Sequence, residues 1–302
     1  MGSGGVGGYF GAVLSRSGHD VTFIARGDHL KSILKNGLRI ESITSGNFNI
    51  DANAVDKPAK SYQADLILYC VKGYDNAQAI DIIQTAVGDQ TLILTLQNGI
   101  GSGEILSSRF GASQILLGVT YMDSLRKDPG VIAELGGRCN ILFGEENGNQ
   151  SNKSREVLRA FQKAKIDVQL SSDILKELWN KLIYISALSG MTCVTRSTFD
   201  EILAVPLTLE TTLELMRETE SVARAKGIKL ENDIVDTAMS YFNDNRKTLF
   251  SSMYADLERG NRLEVEVLNG AVARIGDDLG VPTPVNSFIT ACLMPSHIRA
   301  SN

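Results

Sequence analysis

The chain has 302 residues, 43% hydrophobic and 22% charged, with a formal net charge of −5; this is the balance of a globular protein of one or two domains. No block of Lys and Arg offers the clustered positive charge that nucleic acid requires, and no apolar run is long enough to span a bilayer. Cys70, Cys139, Cys193 and Cys292 form no CxxC pair, and three of them sit in apolar runs; the expectation is small buried thiols, no metal site and a reducing, cytoplasmic setting.

The chain opens with Gly2-Ser3-Gly4-Gly5-Val6-Gly7, a GxGxxG that leads into a helical run ending near Ser17. Such glycines permit a tight turn and a close backbone approach to a pyrophosphate, which then lies on a helix N-terminus. Taken alone, the motif is equally a chance glycine-rich turn. A Gly18–Asp20 turn follows, then a strand over Asp20–Ala25, and then Arg26. A site for NAD places a carboxylate after this strand to hold the ribose 2′-hydroxyl, whereas a guanidinium suits a 2′-phosphate. Arg26 therefore points to NADP; the alternative is a solvated arginine, with Asp28 serving the ribose. A Rossmann loop follows a β-strand, yet only Met1 precedes Gly2, so the natural chain is expected to begin further upstream.

Apolar runs predict further buried strands at Leu66–Val71, Thr91–Leu96 and Gln114–Thr120, the pattern of a parallel sheet. Shorter runs at Val131–Glu134, Asn140–Phe143 and Val168–Leu170 are expected to finish that sheet. From about Asp173 the apolar spacing becomes helical, which predicts helices over roughly 173–194, 207–226, 230–242, 246–277 and 284–293. The fold class is thus α/β: a Rossmann-like parallel-sheet domain over residues 1–170, followed by an all-helical domain over 171–302.

Between Leu178 and Met191 the one charged residue is Lys181, and helical spacing aligns it with Ile174, Leu178 and Ile185. A lysine in an apolar stripe has its charged form disfavoured, which suits acid–base work; a lysine snorkelling to a domain edge fits the pattern as well. Near the end, Glu264 falls on a helical face with Leu268, Ala271 and Ile275, where a carboxylate needs a partner or a ligand, while Glu266 points away. Ser251 and Ser252 offer hydroxyls for a substrate carboxylate, although such a serine pair, as a bare pattern, is more often a helix cap.

These pieces in this order resemble the ketopantoate reductase (2-dehydropantoate 2-reductase) family. The matching stretches are GSGGVGG at 2–8, VTFIARG ending past Arg26, VKGYD at 71–75, LQNGIG at 96–101, ELWNKL at 177–182, SSMYADLERGNRLEVEVLNG at 251–270 and GVPTPVN at 280–286. The resemblance implies a Rossmann domain and a helical domain, with the site in the cleft between them. It implies Lys181 as proton donor, Glu264 as organiser of cofactor and substrate, Asn98 as a contact to both, Lys72 and Ser124 as nucleotide contacts, and Ser252 as the carboxylate-binding serine. The family's substrate-holding asparagines, one and two turns after the lysine, are replaced here by Ile185 and Ser189. The implied activity is NADPH-dependent reduction of ketopantoate to pantoate, in pantothenate and coenzyme A synthesis. Its rivals are reduction of another branched 2-oxo acid on the same fold, and a non-catalytic NADP(H)-binding sensor. The expected partner is a small 2-oxo acid, with no nucleic acid or membrane; a homodimer is allowed by the sequence.

Overall fold

A computed structural model describes residues 1–301. Two compact units emerge, Met1–Gln97 with Ser102–Ile174, and Asn98–Gly101 with the chain from Leu175 onward. The four residues Asn98–Gly101 thus belong to the helical unit, although the sequence on both sides of them belongs to the sheet unit. A single cut at 170 does not foresee that exchange.

The first unit holds strands β1 (Thr22–Ile24), β2 (Leu38–Ser42), β3 (Phe48–Ile50), β4 (Asn53–Val55), β5 (Leu66–Tyr69), β6 (Leu92–Thr95), β7 (Ile115–Tyr121), β8 (Ser124–Asp128), β9 (Val131–Glu134), β10 (Asn140–Gly144) and β11 (Asp167–Leu170). Its helices are α1 (Gly5–Arg16), α2 (Gly27–Asn36), α3 (Asn76–Ile83), α4 (Ser102–Phe110) and α5 (Asn152–Lys163). The main sheet runs β11-β10-β7-β6-β5. Strand β6, paired between β7 and β5, is buried at every position, as expected of a strand covered on both faces. Parallel β1 and β4 form a separate pair. Residues 1–3 bond to both pieces: the Met1 amino group donates to Leu68 O at 2.8 Å, Cys70 N–H donates to Met1 O at 2.9 Å, and Ser3 Oγ donates to Ile24 O at 2.8 Å.

The four long apolar runs became β1, β5, β6 and β7, and two expectations for the sheet need correcting. Strand β10 runs antiparallel to β7. Strand β9 leaves the main sheet altogether and joins a four-stranded sheet ordered β3-β2-β9-β8, on which α1 packs. Strands β2 and β8 escaped the apolar-run criterion because each has a solvated face. In β2, Arg39 is exposed between buried Leu38 and Ile40, and β8 ends on exposed Arg126, Lys127 and Asp128.

The second unit comprises α6 (Ile174–Thr195), α7 (Phe199–Ala204), α8 (Pro206–Ala225), α9 (Ile234–Asn245), α10 (Ser252–Glu258), α11 (Asn269–Leu279) and α12 (Pro284–Arg299). Helix α6 is 22 residues long, about 33 Å at the usual rise. From Leu182 to Cys193 it is buried on nearly every side, so it forms the axis of the helical core, whose largest buried side chain is Trp179. The single helix expected over 246–277 is instead two helices separated by ten residues, 259–268. Gly260, at φ +69°, ends α10; its N–H donates to Leu257 O and Asn261 N–H to Asp256 O, the paired bonds of a Schellman ending. A second correction concerns the cysteines. Cys193 is buried, and burial pushes its thiol up to about 12, but Cys292 is exposed.

Candidate functional site

The candidate residues fall into two groups, one in each unit. The first is the glycine loop. Gly2 has φ +88°, and a Cβ there would stand 2.8 Å from the backbone of Cys70 and Val71; a Cβ on Gly7 would stand 2.2 Å from Gly2 O. Backbone approaches of this kind admit glycine alone. By contrast, Gly4 has open space around it and is the N-cap of α1, with no side chain to close the helix end. The first-turn N–H groups of α1 are therefore left for an anion. Val6 packs into the core beneath, and a Cβ on Gly5 would lie 2.6 Å from Ser124 Oγ. That hydroxyl is buried and has no hydrogen-bond partner among the described residues, an unmet capacity that a phosphate or ribose oxygen would satisfy. The cradle fits a dinucleotide.

Two residues that no sequence pattern marks support this region, one bonded to the loop and one to the turn against which Gly2 packs. His29, buried on α2, has Nε2 2.8 Å from Ser3 O, while Gly130 N–H donates to its Nδ1 at 2.9 Å. Since Nδ1 accepts, Nε2 carries the proton and donates, and the ring is neutral. Burial lowers its pKa, the Ser3 carbonyl opposes that shift, and the Arg126 charge adds to it. Gln97, also buried, donates to Val71 O at 2.9 Å and to Asn76 Oδ1 at 2.8 Å. It thereby ties the turn that carries Lys72 to the end of β6. Lys72 itself is half-buried, and its carbonyl accepts from Asp75 N–H. Arg26 lies at the N-cap of α2, its guanidinium donating to Asp75 Oδ2 and Gln78 Oε1, each at 3.1 Å.

The second group lies in the helical unit. Lys181 Nζ donates to Asn98 Oδ1 at 2.8 Å. Asn98 is set by the turn it opens: Ile100 N–H donates to Val267 O at 3.2 Å, and Gly99, at φ +79°, brings its Cα so close that a Cβ would be 2.1 Å from the same carbonyl. Val267 belongs to the turn that follows Glu264, whose own carbonyl accepts from Val267 and Leu268 N–H. Glu264 is buried, but in this irregular segment and not on a helix; the helical face argued for it does not exist.

The serines divide. Ser251 is the buried N-cap of α10, accepting from Tyr254 N–H at 3.1 Å, and its Oγ lies 3.5 Å from Ser189 Oγ on α6. Ser252, the residue expected to bind a carboxylate, is half-buried in the first turn. The structure therefore joins Lys181 with Asn98, and Ser189 with Ser251. Among the described residues no cluster of His, Cys, Asp and Glu could hold a metal ion, and no helix is long and apolar enough to cross a membrane.

Comparison with known proteins gives matches along nearly the whole chain. The family described as ketopantoate reductase PanE/ApbA matches residues 1–148, and its C-terminal counterpart matches residues 173–296. An uncharacterized oxidoreductase, YkpB of Bacillus subtilis, is 28% identical over 293 residues, covering 97% of this chain and 96% of its own. The 2-dehydropantoate 2-reductase of Pyrococcus horikoshii is 29% identical over 291 residues, 96% of this chain and 94% of its own. Among solved structures, a PanE/ApbA family ketopantoate reductase from Ralstonia eutropha superposes with a TM-score of 0.91 at 30% identity, covering 100% of this chain and 98% of that one. A D-mandelate dehydrogenase solved with NADH and anilino(oxo)acetate reaches the same TM-score at 21% identity, over 99% of this chain and 97% of that one; it shares the fold.

Proposed function

The chain belongs to the ketopantoate reductase family and is an oxidoreductase, and from that premise we propose that it reduces 2-dehydropantoate to pantoate with NADPH. The observation that carries this reading is the 2.8 Å bond from Lys181 Nζ to Asn98 Oδ1, made by a lysine on an otherwise apolar stretch of α6. Bound NADPH supplies the hydride. The glycine loop with its α1 N–H groups holds the pyrophosphate, Ser124 and Lys72 contact the nucleotide, and Arg26 answers the 2′-phosphate. Lys181 donates the proton to the ketone oxygen as negative charge grows there, with Asn98 fixing the direction of its ammonium. Glu264 organises the reacting groups, and Ser252 receives the substrate carboxylate. Ser189 faces the substrate tail.

A second reading, reduction of a 2-oxo acid with a more apolar tail, is favoured by Ile185 and Ser189, which replace two amide hydrogen-bonders with a hydrocarbon and a short hydroxyl. The D-mandelate dehydrogenase of the same fold was solved with NADH bound, which makes the nicotinamide cofactor a matter to measure as well. The test is NADPH and NADH oxidation with ketopantoate beside branched and aryl 2-oxo acids. Ketopantoate with NADPH is expected to give the highest kcat/KM. A higher value for another acid replaces the substrate, and tight NADPH binding with no turnover on any acid points to a sensor.

A further inference from the structure

Helix α3 opens with Asp75 at its N-cap, followed by Asn76, Ala77 and Gln78. Asp at the N-cap with Gln three residues on is the pattern of a capping box, in which the carboxylate takes a first-turn N–H and the glutamine reaches back to the cap. Neither side chain is used in that way. Asp75 makes no side-chain cap bond; its Oδ2 accepts from Arg26, and Gln78 Oε1 accepts from the other terminal nitrogen of the same guanidinium. An eight-residue helix has forgone the common stabiliser of its N-terminus, and both groups that would provide it converge on one arginine. That arginine is not held by burial: its side chain is 72% exposed, against 23% for Asp75.

We propose that Asp75 is a cofactor-specificity residue that restrains the preference for NADPH. The inference rests on the reading that Arg26 faces the ribose 2′ position. A 2′-phosphate brought to Arg26 must share the guanidinium with a carboxylate already bound to it, and the two like charges repel. A 2′-hydroxyl meets no such penalty and can donate to Asp75, the role a carboxylate plays in NAD sites. Gln78 keeps the guanidinium in place without adding charge. The pair therefore sets a graded choice, NADPH ahead of NADH but by less than Arg26 alone would impose.

Asp75→Asn keeps an acceptor for Arg26 and removes the charge. Calorimetric titration should show NADPH and adenosine 2′,5′-bisphosphate binding about three- to tenfold tighter, the scale of one charge pair in solvent. NADH and 5′-AMP should change by less than about twofold. Asp75→Ser, which can cap α3, should shift the ratio of NADPH to NADH affinity in the same direction, guarding against a helix-end defect in the first variant. An unchanged ratio in both variants, or weaker NADPH binding, overturns the proposal. Arg26→Ala, measured in parallel, separates this from the reading beneath it. If it weakens both dinucleotides equally, Arg26 does not read the 2′ position and both inferences fall. If it weakens NADPH alone while Asp75→Asn changes nothing, only the role of Asp75 is lost.

Discussion

The glycine loop and the Lys181 site are built on opposite plans. In the loop, the backbone N–H groups that open α1 lie in one short stretch, residues 2–7, and the contacts from outside it, His29 on Ser3 and the backbone of Cys70 and Val71 against Gly2, are supports for that stretch. In the helical unit, Lys181, Asn98 and the segment after Glu264 come from three distant stretches of chain, and the link between Lys181 and Asn98 spans 83 residues. A local site is read directly from a motif, whereas a dispersed one depends on turns whose purpose is visible only once they meet. Glycine serves both plans, at Gly2 and Gly7 by letting the loop close on neighbouring backbone and at Gly99 by letting one turn rest on another.

The largest effect should come from the dispersed site. Lys181→Ala is expected to lower kcat by roughly two to four orders of magnitude, the span for losing a general acid, with NADPH affinity nearly unchanged. Rapid-quench or steady-state kinetics beside calorimetry would test this, and near-normal turnover would remove Lys181 from its role.

Next in size is a matched pair of substitutions, one in each region. Gly7→Ala would drive a Cβ to 2.2 Å from Gly2 O, and Gly99→Ala to 2.1 Å from Val267 O at a positive φ. Each should cost about 2–4 kcal/mol in stability, but the losses should separate. Gly7→Ala should abolish nucleotide binding while leaving the helical core intact, as reported by fluorescence of the single Trp179 buried there. Gly99→Ala should leave nucleotide binding in place and remove turnover. If both variants lose the same functions, the contrast between the plans is mistaken.

The smallest effect concerns pH. The folded-state pKa of His29 is depressed below its ordinary value of 6.5, so the folded chain binds fewer protons there than the unfolded one between the two values. Its contribution is present above about pH 6.5 and is lost as the pH falls through the folded value. Protonation puts a hydrogen on Nδ1, which now accepts from Gly130 N–H. The melting temperature of the native chain should fall between pH 7.5 and 5.5 by more than that of His29→Gln, by a difference corresponding to about 1 kcal/mol. Parallel curves would show that His29 does not titrate against the loop.

The sequence was legible where a residue's neighbours in the chain are also its neighbours in space. The glycine loop, the apolar strands β5, β6 and β7, and the length of α6 follow from local pattern. Lys181 stood out because one charge among apolar residues is conspicuous without any knowledge of what it touches. Glu264 was singled out for a reason that fails, since Gly260 ends the helix before it; the signal was the glycine itself, in a stretch otherwise rich in good helix formers. His29, Gln97 and Asp75 were passed over because each bonds to backbone or to a side chain far along the chain, and no periodicity marks such a partner. Asp75 and Gln78 carried a misleading signal, a capping pattern diverted to another use.

The placement of Asn98–Gly101 has a consequence for how the chain comes to be made. Asn98, the first of them, leaves the ribosome 83 positions before Lys181, and all four are carried on the connection from β6 to α4 while the helical unit does not yet exist. N-terminal segments of a chain fold first as it is synthesised, so the turn waits on an already structured sheet for α6 and the Glu264 segment to arrive. A helical half expressed by itself from residue 175 would lack Asn98 beside Lys181 and Ile100 on the Val267 carbonyl. Adding the sheet unit as a second polypeptide would have to return that four-residue piece to its seat, which makes recovery of turnover from two separately produced halves a direct measure of how firmly it is held.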